Sequence, residues 1–282
     1  MVASGPPVTT PGGHCHFLGG AVVGSVRSAV LERAEHGVDV IKVMASGGFA
    51  TPGTDQFGAQ FTREELGAIV DEAHRLGLPV VAHAHSLVGI ENAVAGGVDG
   101  IEHFTGLTAG GIHIGDDVLA EVARRGVVVD LTLGTDRAVG AAARMPTPPP
   151  TLTALMRSVG VSTFEEFLAT RIAVYARLGE HGIPVVAGVD SGMGPFKPHG
   201  SAWRTVVDLV EGGYPPAEAL AAATSYAAEV CGLGEITGRL ATGYAADILV
   251  VDGDPASDPA ALGRPLAVHL RGRTPATATA SR

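Results

Sequence analysis

The chain has 282 residues, of which 46% are hydrophobic, and its formal net charge at pH 7 is −10. A chain of this length buries a large core, so we expect one large domain with at most a small appendage. The negative charge argues against nucleic acid as a partner, and no apolar run is long enough to cross a bilayer. Two cysteines provide no disulfide framework, which is typical of a cytoplasmic protein.

The first predicted elements are a helix over residues 21–36 and an apolar strand over residues 38–48 with Lys42 at its centre. Successive side chains of a strand alternate between its faces, so Val40, Lys42 and Met44 share one face. A lysine is rarely buried unless it is paired, modified or bound to a metal, because desolvating its ammonium group is costly. Lys42 is therefore a candidate functional residue. The alternative is a lysine that extends its amine to solvent.

Strands and helices alternate along the rest of the chain. A loop over residues 47–61 precedes a helix over residues 62–76, where Thr62 and Glu65 form a capping-box pattern. The further predicted elements are strands at 78–86, 98–105, 127–132 and 183–192, and helices at 87–95, 116–125 and 163–181. The proline-rich segment 145–151 is predicted to be irregular. This alternation indicates a parallel sheet with helices outside it, either a barrel or a doubly wound open sheet.

Residue types that commonly bind metals end three of these strands, in addition to Lys42 on the first. They are His83, His103 and Asp190. Residues from four strands converge on one point at the C-terminal rim of a closed barrel, whereas the outer strands of an open sheet diverge. The barrel is therefore favoured.

Alternation also assigns faces to the neighbours of these residues. His85 shares the face of His83, and Thr105 shares the face of His103. Glu102 is then predicted to point away from the barrel interior and to be structural. His85 is predicted to contact the substrate or to support a metal ligand, and a structural hydrogen bond to the rim is equally compatible with the pattern.

The ordered segments IKVMASGG, VVAHAHS, GIEHFT, VVAGVDS, ALAAATSYAAEVCGL and GRLATGYAADILVVDGDP resemble the amidohydrolase superfamily. Within it, the imidazolonepropionase-like and Xaa-Pro dipeptidase-like branch is the most similar. The resemblance covers nearly the whole chain, and the ordered set is specific although each segment alone is weak evidence. It implies a (β/α)8-type TIM barrel that holds one or two divalent metals, most readily zinc.

The resemblance also implies roles for single residues. Lys42 matches the lysine that is carboxylated to bridge two metals. This modification is possible because a neutral lysine can add carbon dioxide and become an anionic donor. His83 and His103 match histidine ligands that end the fifth and sixth strands. Asp190 matches the aspartate that ends the eighth strand, ligates a metal and takes a proton from the attacking water. The implied activity is hydrolysis of a carbon–nitrogen bond in a small molecule.

One part of the family pattern has no match. The family carries a His-x-His motif after its first strand, whereas this chain begins at a segment that resembles the third strand. We therefore expect a barrel without its first two strands. His14 in GGHCH matches a Gly-Gly-His segment and is predicted to contact substrate, as is His199 after Asp190. In an alternative interpretation, His14 and His16 replace the unmatched ligands.

The predicted domains are a barrel over residues 1–236, a small β-sandwich remnant over 237–273 and a disordered tail over 274–282. The β strands of region 237–273 have an unpaired edge, so we expect the chain either to form a homo-oligomer or to be unstable. Three functions stay open: a hydrolase, a truncated and catalytically impaired relative, and a single-metal decarboxylase or deaminase. The candidate ligands favour the hydrolase, and weakly charged loops at 46–61 and 134–151 favour a neutral or apolar substrate.

Overall fold

The computed structural model describes residues 1–49, 51–138, 156–157 and 160–274. It divides the chain into two compact units. The first consists of Met1–Thr132 and Arg137–Val185, and the second consists of Leu133–Asp136 and Val186–Arg282. The proline-rich segment 145–151 and residues 275–282 of the predicted tail lie outside the described residues. The predicted domain boundary after residue 236 stays a prediction.

The first unit is an α/β structure. Its elements are α1 (Val26–Glu35), β1 (Ile41–Met44), α2 (Arg63–Arg75), β2 (Val80–Ser86), α3 (Leu87–Gly96), β3 (Gly100–Thr108), β4 (Gly111–Ile112), α4 (Asp116–Arg125), β5 (Val128–Asp130) and α5 (Phe164–Glu180). Strands β1, β2, β3 and β5 pair in parallel in that order, and β4 pairs with β3 in the antiparallel direction.

The strand order distinguishes between the two predicted architectures. Parallel bridges from Val8 to Val43 and from Val129 to Val185 extend the sheet beyond β1 and beyond β5. The spatial order therefore follows the chain order from one side to the other. A doubly wound sheet reverses direction at a switch point, whereas a (β/α) barrel does not. The predicted barrel-type fold is confirmed, and its parallel strands all end on the same side.

Local sequence explains where the helices begin. α2 begins after Thr62, whose side chain accepts a hydrogen bond from the backbone of Glu65 in the predicted capping box. α1 begins at Val26 and not at residue 21 as predicted. Gly24 has a φ of 87°, and the Ser25 side chain caps the helix by accepting a hydrogen bond from the backbone N–H of Ser28.

The predicted strand over residues 183–192 is wrong. In this part of the described chain only Val185 forms a bridge to a strand. Beyond it, the Ala187 N–H donates to the carbonyl of Ala222, and the Gly188 carbonyl accepts from Thr205 Oγ1. Because these backbone groups bond to a helix and to a side chain, they form no strand ladder. Asp190 follows an irregular segment and has a φ of 58°.

The second unit contains α6 (Ala202–Glu211), α7 (Pro216–Ala223), α8 (Ser225–Val230), β6 (Ile248–Val251) and β7 (Pro265–His269). The antiparallel β6–β7 pair confirms the predicted small C-terminal β segment. Leu249, Leu266 and Leu270 on or next to these strands are 47%, 68% and 55% exposed. The homo-oligomer and the cytoplasmic location stay predictions. Among the described helices, none combines the length and the apolar character needed to cross a membrane.

Candidate metal centre

Three histidine side chains meet in the first unit. His83, His85 and His103 each offer a ring nitrogen, and these atoms lie within 4.8 Å of one another. The ring centroids are 4.8 Å apart for His83 and His85 and 4.5 Å apart for the other two pairs. His83 and His85 are almost completely buried. Imidazole nitrogens in such a group are a common donor set for Zn²⁺ and other first-row divalent metals.

Strands β2 and β3 bring these rings together in different ways. His83 and His85 are two residues apart on β2 and share a face, as predicted. In the parallel register, His83 pairs with Glu102 and Ala84 pairs with His103, so regular alternation would turn His103 away from His83. His103 and Phe104 have φ values of 68° and 44°, which break that alternation. The His103 ring consequently lies against the two histidines of β2.

A hydrogen bond defines which nitrogen of His83 can bind a metal. Its Nε2 lies 3.2 Å from the carbonyl oxygen of Gly47, which can only accept, so Nε2 carries the proton and Nδ1 the lone pair. Burial lowers the pKa of His83 well below its usual 6.5, and the charges of His14 and Lys42 lower it further. His83 is therefore neutral near pH 7, which is the form that ligates metals.

A threonine fixes His103 in the opposite tautomer. The Thr132 hydroxyl donates its one hydrogen to the carbonyl of Leu131 at 2.8 Å. His103 Nδ1 lies 2.7 Å from the same hydroxyl, so in the neutral ring Nδ1 donates to that oxygen and Nε2 carries the lone pair. His85 Nδ1 similarly lies 2.8 Å from Thr105 Oγ1. Sequence reasoning missed the role of Thr132, and the only signal for it was its position at the end of a predicted strand.

Lys42 and Glu102 form an ion pair next to the histidines. Lys42 on β1 pairs in register with Val81, two residues before His83, so these side chains share a face of the sheet with Glu102. The prediction that Glu102 points away from the barrel interior is therefore wrong, and its predicted structural role stays a prediction. The Lys42 side chain is 15% exposed, in agreement with the predicted burial. Its carboxylation stays a prediction.

His14 packs onto the cluster from the N-terminal segment. It is 4% exposed, and its ring centroid is 4.4 Å from that of His83. Burial, with a smaller effect of the Lys42 charge, lowers the pKa of His14 to about 4. Among the described residues, no hydrogen-bond partner reaches its buried Nδ1. The predicted contact of His14 with substrate stays a prediction.

The alternative in which His14 and His16 together replace the unmatched ligands is not supported. His16 begins the 3₁₀ turn His16–Leu18, is exposed, and places its Nδ1 2.9 Å from the carbonyl oxygen of Gly13. Only His14 of this pair contacts the cluster, and it does so through His83. The backbone N–H of His14 in turn donates to Gln60 Oε1, which anchors the loop.

Asp190 and His199 belong to the second unit. Asp190 is exposed, and the ring of the exposed His199 lies close to Gly192 in the same loop. Their predicted roles, a metal ligand and proton acceptor for Asp190 and a substrate contact for His199, stay predictions. The residues that the structure brings together are those of the first unit.

Replacing Thr132 by valine tests the tautomer assigned to His103. Valine keeps the shape of the side chain but removes the oxygen that accepts from Nδ1. We expect the affinity for Zn²⁺, measured by competition with a chromophoric chelator, to fall about 10–100-fold, the usual effect of losing the partner of a ligating histidine. Thr170→Val is the control, because Thr170 is half-buried on α5 and its hydroxyl donates to Glu166 O of the same helix. Equal affinities in the two variants would contradict the assignment.

Comparison with known proteins places this site in a family. The profile of the Amidohydrolase family matches residues 1–274. The ochratoxinase of Aspergillus niger is 29% identical over 254 residues, which are 87% of this chain and 47% of that protein. The imidazolonepropionase of Paracoccus denitrificans is 28% identical over 230 residues, which are 81% of this chain and 48% of that protein. The chain thus spans about half the length of these relatives.

Solved structures agree with the sequence comparison. A Xaa-Pro dipeptidase with methionine bound in its active site superposes on this chain with a TM-score of 0.80 at 26% identity. The superposition covers 97% of this chain and 67% of that one. Both halves of the branch predicted from the motifs, imidazolonepropionase and Xaa-Pro dipeptidase, therefore occur among the similar proteins. With its profile match over nearly all its residues, the chain belongs to the amidohydrolase family.

Proposed function

We propose that this chain carries the metal centre of a hydrolase that cleaves carbon–nitrogen bonds. The observation that carries the proposal is the group of three imidazoles, His83, His85 and His103, within 4.8 Å of one another. Two of them are fixed in tautomers that leave different nitrogens as donors. Three imidazole nitrogens in a buried group fit a divalent cation, and zinc is the first candidate. The family match supports the hydrolytic activity.

Each residue then has a defined task. His83 binds the cation through Nδ1 and His103 through Nε2, with His85 as the third donor. Lys42 adds an anionic oxygen donor once it is carboxylated. A cation held here supplies a Lewis acid for the scissile carbonyl and lowers the pKa of the attacking water. Asp190 is proposed to accept the proton from that water.

The proposed substrate is a neutral or apolar compound with an amide, peptide or cyclic amide bond. The names of the relatives support the type of bond, because one is a Xaa-Pro dipeptidase and another an imidazolonepropionase. His14 and His199 are proposed to contact the substrate. For His14, the supporting observation is its buried Nδ1 beside the imidazole cluster.

Elemental analysis of the chain, purified without added metal, tests the metal centre. We expect about one or two zinc ions per chain, and a lower content in Lys42→Ala. The same preparations are then assayed with Xaa-Pro dipeptides and small lactams. A metal-free parent that also fails to bind added Zn²⁺ would overturn the proposal. A metal-loaded parent that hydrolyses only anionic substrates would retain the metal centre but overturn the proposed substrate class.

A further inference from the structure

A buried arginine outside the imidazole cluster contacts the backbone that carries it. Arg171 on α5 is 3% exposed. Its Nη1 donates to the carbonyl of Phe104 at 3.1 Å, and its Nη2 donates to the carbonyls of His103 and, at 3.3 Å, of Leu131. In the described part of the chain, no carboxylate lies within ion-pair distance of this guanidinium. Its hydrogen bonds in that part of the chain therefore go to backbone within β3 and to the residue that follows β5.

These carbonyls belong to the most unusual backbone of the site. His103, Phe104 and Thr132, the residue after Leu131, have φ values of 68°, 44° and 50°. Residues with a β-carbon avoid this region because their side chains clash with the backbone there. Such conformations persist only where neighbouring groups hold them. Here the same conformations turn His103 into the cluster and bring its Nδ1 to the Thr132 hydroxyl.

The chemistry of arginine suits this task. A guanidinium is planar and offers five N–H donors in a fixed arrangement, so one side chain can hold carbonyls of two strands at once. Although burial lowers the pKa of Arg171 to about 10, the side chain stays charged at neutral pH. Burying a charge without a carboxylate is expensive. An apolar side chain would fill the same helix–sheet contact without that cost, so packing alone does not account for an arginine here.

We infer that Arg171 is a positioning residue of the metal centre. By holding the carbonyls of His103 and Leu131, it fixes both partners of the hydrogen bond between His103 Nδ1 and Thr132 Oγ1, and so directs His103 Nε2 towards the metal. This inference rests on the proposed function, because it requires a metal bound at the imidazole cluster. It adds a residue from α5, which supplies none of the metal donors.

Cobalt binding measures this role without an activity assay. Co²⁺ is titrated into the chelator-treated parent, Arg171→Met and Arg171→Lys, and both the affinity and the visible d–d spectrum are recorded. Methionine keeps the bulk of the stem and removes all donors, whereas lysine keeps the charge but cannot reach all three carbonyls. We expect the affinity of Arg171→Met to fall about 10–100-fold, with an altered spectrum. Lysine should restore it only in part.

Arg33→Met is the matched control. Arg33 is 5% exposed and also donates to backbone carbonyls, but these belong to Pro6, Pro7, Gly20 and Ala29 and not to the cluster. The Arg33→Met variant should be less stable than the parent but bind Co²⁺ with the same affinity and spectrum. Parent-like affinity and spectrum in Arg171→Met, or equal losses in both variants, would overturn the inference. If Arg171→Met does not fold, the Co²⁺ affinity and spectrum of Arg171→Lys are compared with those of the parent and of Arg33→Met instead, and parent-like values would overturn the inference. A parent that binds no Co²⁺ would instead refute the proposed metal centre.

Discussion

A His83→Gln variant should fold and lose its metal. The amide nitrogen of glutamine lies about where the Nε2 of histidine does, so it can still donate to the carbonyl of Gly47, the bond seen at 3.2 Å. No atom then replaces Nδ1, the donor assigned to the metal. The affinity should fall by more than the ~10–100-fold that follows the loss of a ligand's hydrogen-bond partner. Hydrolysis of any substrate of the parent should fall to the background rate.

Zinc content and the far-ultraviolet circular dichroism spectrum, recorded on the same sample, measure this result. The control is His16→Gln, because His16 is exposed and lies outside the cluster. His83→Asn gives a second comparison, since its amide oxygen lies near the position of Nδ1 and is a weak replacement donor. A folded His83→Gln that keeps stoichiometric zinc would show that His83 is not a ligand, whatever the activity.

Much of the fold follows from local pattern in the sequence. The capping box at Thr62 and the apolar face of α2, where Leu66 and Ile69 are completely buried, agree with the predicted helix. The rule that side chains alternate between the two faces of a strand predicted the faces correctly for β2 and incorrectly for β3. It placed Glu102 outside and His103 inside by sequence parity alone. In the structure, Glu102 reaches Lys42, and His103 reaches the cluster because its backbone leaves the regular strand conformation.

The groups that stabilise this departure are distant in sequence. Arg171 lies on a helix 68 residues after His103, and Thr132 lies 29 residues after it. No spacing rule links such residues before the topology is known, and neither belongs to the motifs that carried the family resemblance. The prediction of a strand before Asp190 failed for a related reason. Its apolar pattern is that of a strand, but a hydrogen bond from Thr205 and one to the carbonyl of Ala222 replace those of strand partners.

Arg33→Met should destabilise the chain by about 2 kcal/mol or more, because buried acceptors left without a donor cost ~1–3 kcal/mol each. Arg33 Nε donates to Pro6 O at 2.8 Å, and Nη2 donates to Gly20 O at 2.9 Å. The carbonyl of Pro7 lies 3.4 Å from the same Nη2. One side chain thus holds two parts of the N-terminal segment, which flank the His14 loop. Methionine preserves the packing of the stem but satisfies none of these oxygens.

Urea unfolding at pH 7, followed by circular dichroism on chelator-treated protein, gives the change in the free energy of unfolding. The comparison is Arg124→Met, which removes an exposed arginine paired with Glu121 three residues earlier and should cost less than about 1 kcal/mol. A similarly small cost for Arg33→Met would mean that the carbonyls of the segment find other partners. A large cost with unchanged zinc affinity is the expected result, because Arg33 orders the backbone around His14, whereas the proposed ligands lie on β2 and β3. Stability and metal binding would then depend on two different buried arginines.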